Sequence, residues 1–246
     1  FALPWEKPFT GVLFNTRFGA LWIARAALSF VLVRFAFADK TTQRSNIIML
    51  IVSLPILLTI SLGSHAAADA DATLAISNDM LHLIAASVWV GGVIHFAYGL
   101  WALKKVEGAG TYIAQLLPRF SALALISVGT LTLTGLYAAV IRIGSFEALN
   151  NTLYGRTLII KLIIALPMVA MGAINLLTIT PAMKKPGKDL QGLFTKIVTS
   201  EATLGIILLL SVGVLTSLPP AQTASTVPSL SAQQNVDDLN MAIEIT

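Results

Sequence analysis

The chain contains no cysteine. That excludes disulfides, thiolate-held metals and cysteine nucleophiles, and it leaves methionine as the soft metal ligand. Charge is also scarce. Asp, Glu, Lys and Arg make up 11% of the 246 residues, whereas a soluble domain carries about 25%. Such a chain has too little polar surface to face water on all sides. No Walker motif, Rossmann glycine pattern or HExxH is present, which argues against an ATP-driven pump by itself and against zincin-type hydrolysis. No hydrolase or transferase constellation is visible.

What is present is apolar. Hydrophobic residues account for 56% of the chain, with mean hydropathy +0.81. A helix needs about 20 mostly apolar residues to cross a bilayer. Six segments qualify: Phe18–Phe37, Ile47–Ala66, Asp79–Leu103, Phe120–Ile141, Thr157–Thr180 and Phe194–Leu218. None alternates like a barrel strand. Backbone polar groups in lipid must be satisfied within each segment, so the predicted fold class is all-α, a polytopic bundle of about six transmembrane helices. Residues 1–17 read as an interfacial segment, with Trp5 and Phe9 suited to the headgroup region. Residues 18–218 form the bundle. Residues 219–246 form a polar, Ser/Gln/Asn-rich tail without helical or strand periodicity, expected to be disordered unless held by a partner.

The net charge is +4, but the basic residues sit at helix ends, which sets orientation and does not point to nucleic acid. Lys40, Arg44, Lys104, Lys105, Arg119, Lys184, Lys185, Lys188 and Lys196 flank the first, third and fifth connections, while the second carries Asp69 and Asp71. The positive-inside rule then places both termini outside. An outside N-terminus beginning at Phe1 calls for an export element upstream.

Ionisable residues within spans are functional candidates by default. At a helical rise of about 1.5 Å per residue, Arg25, His65, Asp79, His82 and Lys161 fall in one outer layer. Asp79 and His82 are three apart and share a helix face. His65, Asp79 and His82 are the candidate metal ligands, with Asp79 either ligating or orienting His82. His95 lies about 20 Å deeper. With Gly92 and Gly99 beside it, it is expected to face protein, and together with Met168 it is a candidate deeper ligand. Asn175 and Glu201 lie at similar inner depth and, with Arg25 and Lys161, form the expected polar interior. Each has a structural reading too: snorkelling for Arg25 and Lys161, packing for Met168, a structural hydrogen bond for Glu201, an N-terminal cap for Asp79.

In order along the chain, "TRFGALWIAR", "GSHAA", "NDMLHLIAASVWVGG", "PRFSALAL", "LTGLY", "YGRTLIIK", "GAIN" and "TSLPP" resemble the CopD family of copper-resistance membrane proteins. The resemblance covers about residues 16–220. It implies a multi-span bundle in the bacterial cytoplasmic membrane, linked to copper uptake or tolerance. No Met-rich or His-rich extramembrane motif accompanies it, so delivery by a separate periplasmic copper-binding protein or domain is expected. Imidazole and carboxylate suit Cu(II), and thioether suits Cu(I). Against copper, Arg25 and Lys161 at the same depth repel a cation. Two other functions compete. "LHLIAASVWVGG" also resembles HemJ-type protoporphyrinogen oxidases. A b-type haem would take axial histidines, with Arg25 and Lys161 on its propionates. The third reading is an accessory subunit of a larger membrane complex.

Overall fold

The computed structural model describes residues 6–37, 42–68, 71–103, 106, 109–143, 146–183, 191–217, 230–236 and 239–245. Trp5, the connecting residues Lys40, Asp69, Lys104, Lys105, Lys184, Lys185 and Lys188, and the stretch 218–229 lie outside the described residues.

Helix α1 (Glu6–Asn15) leads into α2 (Arg17–Ala36) and α3 (Gln43–Leu62), and a short 3-10 turn (His65–Ala68) joins α3 to α4 (Ala72–Ala102). Then follow α5 (Ala109–Ile143), α6 (Phe146–Asn151) and α7 (Leu153–Ile174), a π-helical turn (Asn175–Ile179), α8 (Thr180–Met183) and α9 (Gln191–Ser217). Among the described residues six helices are long and apolar enough to cross a membrane: Arg17–Ala36, Gln43–Leu62, Ala72–Ala102, Gln115–Ile143, Leu153–Ala182 and Gly192–Gly213. The expected helical bundle is therefore present.

Helix starts follow side-chain chemistry. A short hydroxyl or carboxylate side chain accepts an orphan backbone N–H of the first turn. Thr16 accepts from Gly19 N, Asp71 from Leu74 N and Thr152 from Gly155 N. Thr42 and Ser45 cap α3 reciprocally. Asp71, not Asp79, caps α4. The fourth helix thus begins earlier than hydropathy suggested, and Asp79 lies about two turns inside it.

Helix α4 is the hub. It packs along α5 and α9, and α7 packs along α9, while α2 and α3 form a pair joined to the rest mainly through α3 and the 3-10 turn against α4. The core runs down this four-helix unit. Ile143, Ala148 and Tyr154 close one end, Trp89, Val90, Val93, Met168, Ala202 and Leu208 fill the middle, and Leu100, Ile113, Leu117, Ile179, Phe194 and Val198 fill the other end. Large apolar side chains such as Phe30, Leu133 and Leu177 are exposed, as expected of surfaces solvated by acyl chains.

The tail departs from expectation. Leu230–Val236 and Leu239–Ile245 pair as antiparallel strands, here β1 and β2, with Val236 opposite Leu239. Leu239, Met241, Ile243 and Ile245 alternate with polar or small residues. That is a period-two signal, placed after two aspartates.

Candidate functional site

The outer layer divides into two neighbouring groups. His82 on α4 reaches α5 and α7. Its Nδ1 lies 2.8 Å from Thr134 Oγ1, and its Nε2 lies 3.5 Å from Lys161 Nζ. Thr134 donates its own hydroxyl proton to Thr130 O at 2.7 Å. Its oxygen is therefore the acceptor for His82, and Nδ1 carries the ring proton. The remaining lone pair, on Nε2, faces the Lys161 ammonium. The ring lies against Gly135, where a Cβ would stand in ordinary contact, 3.6 Å from His82 Cε1. Asn78 ties the same corner by donating to Thr134 O.

Asp79 turns the other way. Ser64 donates to Asp79 Oδ2 at 3.2 Å, at the end of α3. The described bonds of His82 go to Thr134 and Lys161, so the proposed orientation of His82 by Asp79 is not what holds the ring. Three residues separate their directions by about 60° around the helix, enough to send one to α3 and the other to α5 and α7. The backbone of His65 follows Ser64 directly in the 3-10 turn. The His65 side chain lies outside the described residues, so its distance from His82 is not part of this geometry. Among the described residues no group of three His, Asp or Glu side chains is placed to hold a metal.

Asp79 and Ser64 open on a cavity of about 500 Å³ between the α2–α3 pair and the main unit, lined also by Trp22, Arg25, Arg142 and Tyr154. Arg25 is held by α3: Nε donates to Thr59 Oγ1 and Nη2 to Thr59 O, at 3.2 and 2.8 Å. It is thus tied across to α3, not extended towards headgroups. Described lining charges are one carboxylate against two guanidiniums.

A repeated corner positions two of these cations. "TRFGALWIAR" and "TLYGRTLIIK" each start with the N-cap Thr of a long helix and end with a basic residue, Arg25 or Lys161. In both, a Cβ on the glycine would stand about 2 Å from a carbonyl oxygen of the preceding short helix, Leu13 O for Gly19 and Leu149 O for Gly155. Only glycine lets the short helix fold back so closely. The sequence itself carries this pattern, a Thr-x-x-Gly spacing with a basic residue nine positions after the threonine.

The inner layer lies on the α7–α9 seam. Asn175 and Glu201 are 6% and 5% exposed, and Asn175 Nδ2 lies 3.5 Å from Glu201 Oε2. Met168 is 1% exposed. His95 is exposed on the outer surface of α4, contrary to the expectation that it faces protein. The close approach near it belongs to Gly92, which sits under the Phe120 ring, while among the described residues nothing stands within 4 Å of a Cβ at Gly99. Small neighbours at i−3 and i+4 do not by themselves define which side of the helix is covered.

Comparison with known proteins gives a consistent assignment. The family model for copper resistance protein D matches residues 114–215, and that for the copper resistance protein D-like N-terminal domain matches residues 7–76. The chain is 32% identical over 213 residues to the copper transport protein CutJ of Bacillus subtilis, covering 84% of this chain and 38% of that protein. It is 27% identical over 209 residues to the inner membrane protein YebZ of Escherichia coli, covering 84% of this chain and 70% of that protein. The chain thus spans less than half the length of the Bacillus relative. No solved structure matches it.

Proposed function

The chain belongs to the CopD family of copper-resistance membrane proteins, and from that premise we propose that it is a cytoplasmic-membrane protein that binds copper in its outer half and passes it inward or to a partner. The family assignment, the two named relatives and the six apolar helices support this reading. The observation that carries the site is the His82 imidazole held between Thr134 Oγ1 at Nδ1 and Lys161 Nζ at Nε2. With Nδ1–H fixed on Thr134, Nε2 presents a lone pair, the form in which imidazole ligates metals, and the second nitrogen is anchored as metal-ligating histidines usually are. Asp79 and His65 are proposed to complete an N/O donor set that suits Cu(II).

Lys161 stands on the lone pair that copper would take. We read it as an occupant that copper displaces. Its flexible stem lets the ammonium withdraw, so the cations at this depth set a threshold for entry and do not bar it. The termini are proposed to lie outside, with the periplasm supplying copper from a separate binding protein or domain. A porphyrin reading draws support from Arg25 and Arg142, which line the outer cavity and would suit carboxylate substituents. One experiment separates the two. Purified full-length protein in nanodiscs is titrated with Cu(II) and its absorbance spectrum recorded. Copper binding that is lost in His82→Ala, with no Soret band, supports the copper site. A Soret band, or copper binding indifferent to His82→Ala, contradicts it.

A further inference from the structure

We infer a second binding site in the inner half of the bundle, formed by Met168, Asn175 and Glu201 and suited to a soft monovalent cation such as Cu(I) or Ag(I). The inference rests on the reading that the chain handles copper, but its geometry is separate from the outer site. Along α7, Asn175 is 14 residues beyond Lys161, about 20 Å deeper.

Helices α7 and α9 interlock through two glycines. Met168 packs over Gly205, with its Cε 3.3 Å from where a Cβ would stand, and Glu201 packs over Gly172, with its Oε1 3.2 Å from the corresponding point. Met168 and Gly172 share one face of α7, which Asn175 continues at the start of the π-helical turn, and Glu201 and Gly205 share one face of α9. The interlock brings a thioether, a carboxyl and an amide to one seam. All three line a cavity of about 310 Å³ walled by Trp89, Phe120 and Phe194.

Asn175 gives the second observation. It is 6% exposed, and among the described residues its Oδ1 has no hydrogen-bond partner. Buried polar atoms are nearly always paired, so an orphan calls for an explanation such as an ion. Asn175 also opens the π-helical turn, a local widening that recurs at functional sites.

Charge selects the ion. Glu201 is the one ionisable residue among the described lining groups, and among the described residues its hydrogen-bond partner is the neutral Asn175. One carboxylate in an apolar, aromatic-walled space balances one positive charge. A divalent ion would leave a net charge buried without a partner, which is costly. The thioether then favours a soft ion over Na⁺ or K⁺.

The test uses the full chain in nanodiscs, titrated with Ag(I) alone, in the His82→Ala background so that the outer imidazole is silent. Met168→Leu conserves volume, and Glu201→Gln and Asn175→Leu are close in size. Binding of one Ag(I), weakened at least tenfold by Met168→Leu and by Glu201→Gln, is the expected result. Asn175→Leu serves as the second variant should the glutamine protein fail to fold, and should weaken binding likewise. No Ag(I) binding by the His82→Ala protein, or equal binding by the folded variants, overturns the inner site. Cu(II) titration of the chain with His82 intact reads the outer site separately, so either site can fail while the other stands.

Discussion

Replacing Lys161 with leucine should tighten copper binding at the outer site. The substitution removes the ammonium that lies 3.5 Å from His82 Nε2 and leaves an apolar side chain without a metal-ligating atom. In the wild-type protein a metal about 2 Å from Nε2 must first break that contact. A hydrogen bond to a charged group is worth about 1.5–3 kcal/mol. An ammonium left about 5 Å from the ion would add roughly 3 kcal/mol of repulsion per unit of ion charge at an effective dielectric of about 20, but the flexible stem lets the charge retreat and removes most of that. A net gain of about 1.5–3 kcal/mol corresponds to roughly tenfold to a hundredfold tighter binding. Competition titration against a Cu(II) chelator of known affinity, on both proteins in nanodiscs, measures it. Thermal unfolding of the two proteins checks that the fold is retained. If Lys161→Leu binds copper more weakly, or not at all, Lys161 positions the site or holds an anion, and copper does not simply displace it.

Three further outcomes follow from the geometry. Thr134→Val removes the acceptor of the His82 Nδ1–H, leaving a part-buried donor unpaired at a cost of about 1–3 kcal/mol; a lower unfolding temperature together with weaker Cu(II) binding is expected, and unchanged values for both would show that Thr134 does not fix the ring. Gly19→Ala and Gly155→Ala each place a methyl about 2 Å from a carbonyl oxygen, so each should lower stability by roughly 1–3 kcal/mol, read as reduced yield and unfolding temperature; wild-type stability would mean that the short helices are not seated as described. The cysteine-free chain allows clean topology mapping with single cysteines at Lys185 and Ser229, of which the second should react with an impermeant thiol reagent in intact cells and the first should not; equal labelling would contradict the outside tail.

Hydropathy was enough to find the six spans, because length and apolarity alone decide which segments can cross. Depth was also legible: counting residues from the helix ends set Asn175 beside Glu201 and His82 beside Lys161, and the helices do bring each pair into contact. Rotation about the helix axis was not legible. It is set by packing against neighbours, so His95, expected to face protein, lies exposed, and Asp79, expected to ligate with His82 or orient it, has its described hydrogen bond from Ser64. Thr134 is the clearest omission. Ser127, Thr130 and Thr134 form a stripe of hydroxyls on one span, and nothing in that spacing distinguishes a hydroxyl that merely returns to its own helix, as Thr130 does to Ile126 O, from one that also accepts an imidazole. Strand β2, by contrast, carries its period-two alternation openly in Leu239, Met241, Ile243 and Ile245, whereas β1 does not sustain it.

The claim on which the rest depends is that copper is held by the imidazole of His82 through Nε2. Pulsed electron paramagnetic resonance of the Cu(II)-loaded protein reads this directly, because the remote nitrogen of a coordinated imidazole modulates the electron-spin echo. The account predicts that modulation in the wild-type protein, from the Nδ1 still bonded to Thr134, and its loss or reduction in His82→Ala. An echo without imidazole modulation, or one identical in the two proteins, would contradict it.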